Sequence, residues 1–86
     1  DEYGNRKAEN LLSLMEKYGL TPEECVYIGD AVSDVMSSRK AGVRCLSAAW
    51  SESADREALE RVNPGDVYGL VADLERVLTE RTENGA

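Results

Sequence analysis

The chain has 86 residues, a formal net charge of −7 and no histidine, which makes it one small domain or part of one, since domains ordinarily run to roughly 100–200 residues. Without histidine, Ser–His–Asp, Cys–His and histidine-ligated zinc chemistry are excluded, and the acidic balance repels phosphate backbones, so no nucleic-acid partner is expected. A content of 42% hydrophobic and 31% charged residues suits a globular chain, and no apolar run approaches the length of about 18 residues that a membrane span needs.

Residues 1–4 have no period and are expected to be irregular. A first helix is predicted from about Arg6 to Tyr18, with Asn5 as N-cap, Ala8, Leu11, Leu12 and Met15 on one face, and Gly19 just past its end. Thr21-Pro22-Glu23-Glu24 has the form of a capping box with proline at the first helical position, limited to one turn because a strand follows at once. Cys25 to Ile28 is a short, continuous apolar run, the pattern of a strand covered on both faces. Gly29-Asp30 ends it. A second helix is predicted from Val32 to Ala41, closed by Gly42, and Val43 to Ala48 is a second buried strand. Ser51 and Ser53 open a polar loop. A third helix spans Ala54 to Val62 and stops at Asn63-Pro64-Gly65. Val67-Tyr68 reads as a very short strand, and Leu70, Val71, Leu74, Val77 and Leu78 form the apolar face of a last helix, with a polar tail from Thr79 onward. Strands alternating with helices imply right-handed crossovers and a parallel α/β sheet. The two cysteines, Cys25 and Cys45, lie in apolar runs and read as buried reduced thiols of an intracellular, cytoplasmic protein.

Three residues carry candidate chemistry. Asp30 lies just past the carboxyl end of a buried strand, where open α/β sheets place their ligands, and Asp34 follows four residues later. Two hard oxygen ligands on a tight turn suit Mg²⁺, which keeps several waters and takes one or two carboxylates plus phosphate oxygens. The plainer alternative is that Asp30 caps the helix and Asp34 is a first-turn carboxylate favoured by the macrodipole. Lys7, expected in the first turn of its helix, is either a solvated side chain or a cation that neutralises a phosphate and nearby carboxylates.

The run Thr21-Pro22-Glu23-Glu24-Cys25-Val26-Tyr27-Ile28-Gly29-Asp30-Ala31-Val32-Ser33-Asp34 resembles the fourth motif of the haloacid dehalogenase-like hydrolases: an apolar strand, Gly-Asp, and a second Asp four residues on. Ser38-Arg39-Lys40-Ala41-Gly42-Val43 is similar to the helix and Ala-Gly-Val turn that follow. Ala49-Trp50 resembles the tryptophan after the next strand in phosphoglycolate phosphatase-like members, and Lys7-Ala8-Glu9 the third motif. The resemblance covers residues 4–80 and implies an incomplete Rossmann-like, three-layer parallel sheet. It also implies a Mg²⁺-dependent phosphatase of small phosphorylated metabolites. Asp30 would bind Mg²⁺ directly or through water, Asp34 would support or ligate that site, and Lys7 would bridge the phosphoryl group and the attacking carboxylate. Ala8 stands where the family commonly has proline, and Ser51 where it often has glycine. The family's first motif, Asp-x-Asp-x-[Thr or Val], which supplies the nucleophile, does not occur in this sequence, nor does the second motif or a cap domain. The expectation is therefore the carboxyl-terminal half of a hydrolase core, a single partial domain over residues 1–86 with 1–4 and 80–86 disordered. Such a chain is inactive alone. The exposed edge of its first strand is expected to pair with the amino-terminal half of the core or with a second copy. A stand-alone, non-catalytic association module is the alternative. A receiver-like domain fits less well, because its acidic pocket is spread over several early strands.

Overall fold

The computed structural model describes residues 2–85, with side chains over residues 6–82. Its first helix, α1 (Glu2–Tyr18), begins four residues before the predicted start, so Asn5 lies inside the helix and is not its N-cap. No proline in residues 2–18 stops the helix from growing backwards. Lys7 consequently sits in the second turn. Ala8 and Met15 are buried and Leu11 is half-buried, but Leu12 is 48% exposed. Leu12 lies about 100° around the helix from Leu11, at the rim of the apolar stripe.

Pro22–Glu24 makes a single 3₁₀ turn, in which the Glu24 carboxylate accepts the Thr21 N–H at 2.8 Å and the Thr21 hydroxyl at 3.0 Å. The chain then enters β1 (Val26–Gly29), α2 (Val32–Lys40), β2 (Arg44–Ala48), α3 (Arg56–Val62), β3 (Val67–Tyr68) and α4 (Val71–Gly85). α2 closes through Gly42, whose φ of 76° lets its N–H reach the Arg39 carbonyl at 3.0 Å while Val43 N–H reaches Ser38 at 2.9 Å. That closure feeds Val43 straight into β2. α3 starts two residues later than predicted, because Asp55 is its N-cap and accepts the Ala58 N–H at 3.1 Å.

The sheet has the order β1-β2-β3, all parallel, with Tyr27 opposite Cys45, Ile28 opposite Leu46 and Ser47 opposite Val67. Alternation sends Tyr27 and Cys45 to one face, where α1, α2 and α3 pack. One cluster there joins Ala8, Met15, Ala41 and Val43, and another joins Val35, Cys45 and Leu59, with Tyr27 touching both. The opposite face carries the fully buried Leu46, with α4 against β2 and β3. This is a three-layer α/β arrangement with an incomplete Rossmann-like parallel sheet. β1 is not covered on both faces as its apolar run predicts. α4 lies over the other two strands, and Ile28 remains 45% exposed. Leu70 and Val71 are exposed too, because the Leu70 carbonyl opens α4 ahead of the stripe centred on Leu74.

Within the described residues α1 extends from Glu2 and α4 to Gly85, residues 1 and 86 lying outside them. The polar end of α4 is held by its own hydroxyls, Thr79 and Thr82 donating to the Glu75 and Leu78 carbonyls at 3.0 Å each. Arg81 anchors it by donating to the Glu23 and Cys25 carbonyls. Both thiols are free, with Cys45 buried and Cys25 half-buried. Among the described residues no helix is long and apolar enough to cross a membrane.

One buried side chain ties the small third strand to the rest. Asn63, which the sequence reads only as a helix stop, directs its amide N–H groups at the Cys45 carbonyl (2.9 Å) and the Ser47 hydroxyl (3.0 Å). It thereby joins the end of α3 to β2, next to the turn that carries Arg44–Asp66. In that pair, Arg44 donates twice to Asp66 at 2.8 and 2.6 Å, and Tyr68 donates to the same carboxylate at 3.0 Å.

Candidate functional site

Parallel strands open their loops at one end, and here the loops after β1 and β2 meet there. β1 stops at Gly29, and Asp30 and Ala31 make the connection to α2. Ala31, not Asp30, is the N-cap of α2, so Asp30 is not spent on capping. Asp34 is. Its Oδ2 accepts the Ala31 N–H at 3.1 Å, while its own N–H donates to the Ala31 carbonyl at 3.1 Å. Its other oxygen, Oδ1, accepts Lys7 Nζ at 2.8 Å. The bond crosses from α1 to α2 and brings together two residues 27 positions apart. The Asp34 side chain is only 10% exposed and that of Lys7 24%.

Gly29 is the reason Asp34 can lie where it does. A Cβ on residue 29 would stand 2.6 Å from Asp34 Cβ and 2.5 Å from Asp34 Cγ, well inside contact distance. The carboxylate therefore folds over the bare backbone at the end of β1. Tyr27, two residues earlier, flanks the same group. Burial pushes its phenol above the ordinary value, the Asp34 charge adds to the shift, and Lys7 opposes it.

Asp30 faces elsewhere. Its Oδ2 accepts the Ser53 hydroxyl at 3.2 Å, from the loop after β2. A hollow of about 320 Å³ opens beside it, lined by Asp30, Ala31, Val32, Ser53, Asp55 and Leu59. Lys7 and Asp34 do not line this hollow. Ala31 connects the two halves, because it borders the hollow and is bonded to Asp34 through both its N–H and its carbonyl. The structure thus places Asp30 in the β1–α2 connection and Asp34 in the first turn of α2, and it couples Lys7 directly to Asp34. Sequence spacing did not reveal Ser53, which comes from a different loop 23 positions away. The role of Gly29 is visible in the Gly-Asp pair only once Asp34 is known to fold back.

As a donor set for a divalent cation, the described residues offer no cluster of three or more Asp, Glu, Cys or His side chains. Asp34 has each oxygen engaged, whereas the one described hydrogen bond to Asp30 falls on Oδ2. One available carboxylate oxygen fits a cation such as Mg²⁺, which retains waters and completes its shell with substrate phosphate oxygens.

Comparison with known proteins points to one hydrolase family. A sequence model described as haloacid dehalogenase-like hydrolase matches residues 1–48, from α1 to the end of β2. Phosphoglycolate phosphatase from Xylella fastidiosa (strain 9a5c) is 45% identical over 40 residues, 46% of this chain and 18% of that protein. Phosphoglycolate phosphatase 1 from Pseudomonas aeruginosa is 34% identical over 64 residues, 74% of this chain and 23% of that protein. Pyrophosphatase PpaX from Bacillus pumilus is 32% identical over 76 residues, 86% of this chain and 35% of that protein. The chain therefore spans less than a quarter of the length of either phosphoglycolate phosphatase. No solved structure matches it.

Proposed function

This chain belongs to the haloacid dehalogenase-like hydrolase family, and we propose that it supplies the cation-holding and charge-balancing side of a phosphatase cleft that hydrolyses small phosphomonoesters. The observation that carries this reading is the 2.8 Å Lys7–Asp34 ion pair, set beside Asp30 at the carboxyl end of a parallel sheet. Phosphoryl transfer depends mainly on positioning and charge neutralisation, and these residues are equipped for both. Asp30 would hold Mg²⁺. When bound, Mg²⁺ offsets phosphate charge and orients the ester. Asp34 supports the site rather than ligating the cation. It fixes the Lys7 ammonium, which would meet the transferred phosphoryl group. The relatives named phosphoglycolate phosphatase make a small phosphorylated acid the natural first substrate to try.

The attacking carboxylate is not among these 86 residues, since no Asp-x-Asp-x-[Thr or Val] occurs in them. It comes from elsewhere in the working protein, and the 86-residue chain alone does not turn over. The outer edge of β1 is the place where the missing part of the sheet joins. Among the described residues β1 pairs with β2 alone, and its Ile28 is exposed. A Mg²⁺ titration of the 86-residue chain, followed by amide chemical shifts, tests the assignment of the cation. Shifts are expected at Asp30 and Ala31 and should vanish in Asp30→Asn. Binding that persists in Asp30→Asn and disappears in Asp34→Asn refutes it.

A further inference from the structure

The loop after β2 reaches Asp30 by a path that no part of the Gly-Asp motif describes. Ser51 and Ser53 brace each other. The Ala54 N–H closes a turn on the Ser51 carbonyl at 3.1 Å, the Ser53 N–H donates to Ser51 Oγ at 3.2 Å, and the two hydroxyl oxygens stand 2.8 Å apart. Ser53 Oγ is also 3.2 Å from Asp30 Oδ2.

Proton counting fixes the direction of this chain. An ionised carboxylate only accepts, so the single Ser53 proton points at Asp30. Ser53 Oγ must then be the acceptor in its contact with Ser51, and the Ser51 proton points at Ser53. The two hydroxyl bonds run one way, from Ser51 to Ser53 to Asp30, and the first polarises the second. The Ser53 N–H meanwhile holds Ser51 in place by donating to its oxygen.

We propose that Ser53, oriented by Ser51, is a positioning residue for the cation-binding carboxylate: it occupies Asp30 Oδ2 and thereby presents Oδ1 to the metal. This rests on the reading of Asp30 as the cation's ligand. Two features favour it over an incidental surface contact. Asp30 sits in a two-residue connection where its own loop supplies no described hydrogen bond to the carboxylate. Ser53 and Asp30 also border the same 320 Å³ hollow, so the bond sets the shape of that wall. Groups that orient a metal ligand commonly contribute 10- to 100-fold in affinity. At this solvent-exposed bond the lower end applies.

The test is a Mn²⁺ titration of the 86-residue chain, read by paramagnetic broadening of backbone amides, for the parent, Ser53→Ala, Ser53→Thr, Ser51→Ala and Asp30→Asn. The expected result is about 10-fold weaker Mn²⁺ binding in Ser53→Ala, a smaller loss in Ser51→Ala, and recovery in Ser53→Thr, which keeps the hydroxyl. Thermal midpoints of the serine variants should stay at the parent value, because both serines lie on an open turn. Binding by Ser53→Ala within about two-fold of the parent, with Asp30→Asn still defective, overturns the positioning role and leaves the Asp30 assignment standing. Unchanged binding in Asp30→Asn, or none in the parent, overturns both.

Discussion

Replacing Lys7 with methionine keeps most of the side-chain volume and removes the charge that faces Asp34. At 2.8 Å the gross attraction of such a pair is about 6 kcal/mol for an effective dielectric of 20. Most of that is offset by the cost of withdrawing both groups from water. Exposed pairs net 0.2–1 kcal/mol, and breaking a fully buried pair costs about 3–5 kcal/mol. With side chains 10% and 24% exposed, this pair stands between those limits, so Lys7→Met should destabilise the fold by about 2 kcal/mol. For a domain of this size that is a fall of roughly 8–16 °C in Tm. The magnitude belongs to the stranded carboxylate, so combining Lys7→Met with Asp34→Asn should cost less than the two changes added together. The shortfall should be about 1–2 kcal/mol in a double-mutant cycle read by urea unfolding. A loss below about 0.5 kcal/mol in Lys7→Met, or strict additivity, would refute the idea that Asp34 depends on Lys7.

Further expectations follow from neighbouring contacts. Gly29→Ala should cost about 2–3 kcal/mol although the φ of Gly29 is not positive, because the new methyl must push the Asp34 side chain off its seat. In an Asp34→Gly background the same change should cost far less, and equal costs in both backgrounds would exclude this cause. Asn63→Ala should lose about 1–3 kcal/mol by leaving the Cys45 carbonyl without its side-chain donor, as measured by denaturant unfolding. The Arg44 guanidinium holds Asp66 below its ordinary carboxylate value near 3.8. A depressed folded value means stability that is complete above the unfolded pKa and lost as pH falls through the folded one. Unfolding midpoints should therefore drop below about pH 4, by an amount worth ~1 kcal/mol or less, and Asp66→Asn should flatten that part of the profile.

Much of the architecture is legible in the sequence because it rests on local rules. Short apolar runs between amphipathic segments gave the alternation of strand and helix, and Gly42 and Asn63-Pro64-Gly65 marked where helices stop. Motif order likewise singled out Lys7, Asp30 and Asp34 as candidates. What escaped was set by tertiary contact. Leu12 and Ile28 look like core residues in a linear pattern, but Leu12 falls at the rim of α1's stripe and Ile28 on the strand that α4 packs against least. The ends of α1 and α4 run on because nothing interrupts them and Arg81 anchors the latter to the chain around Cys25. Ser53 and Asn63 were invisible because each acts on a residue at least 16 positions away through a side-chain hydrogen bond, which leaves no period behind.

The central claim is most directly tested by transplanting this chain into a complete relative. Phosphoglycolate phosphatase 1 from Pseudomonas aeruginosa, with its matching segment exchanged for residues of this chain, should hydrolyse a small phosphomonoester in the presence of Mg²⁺. Lys7→Met and Asp30→Asn should each lower kcat/KM by about 100-fold or more. A folded chimera without activity, or one whose rate is indifferent to both substitutions, would contradict the account.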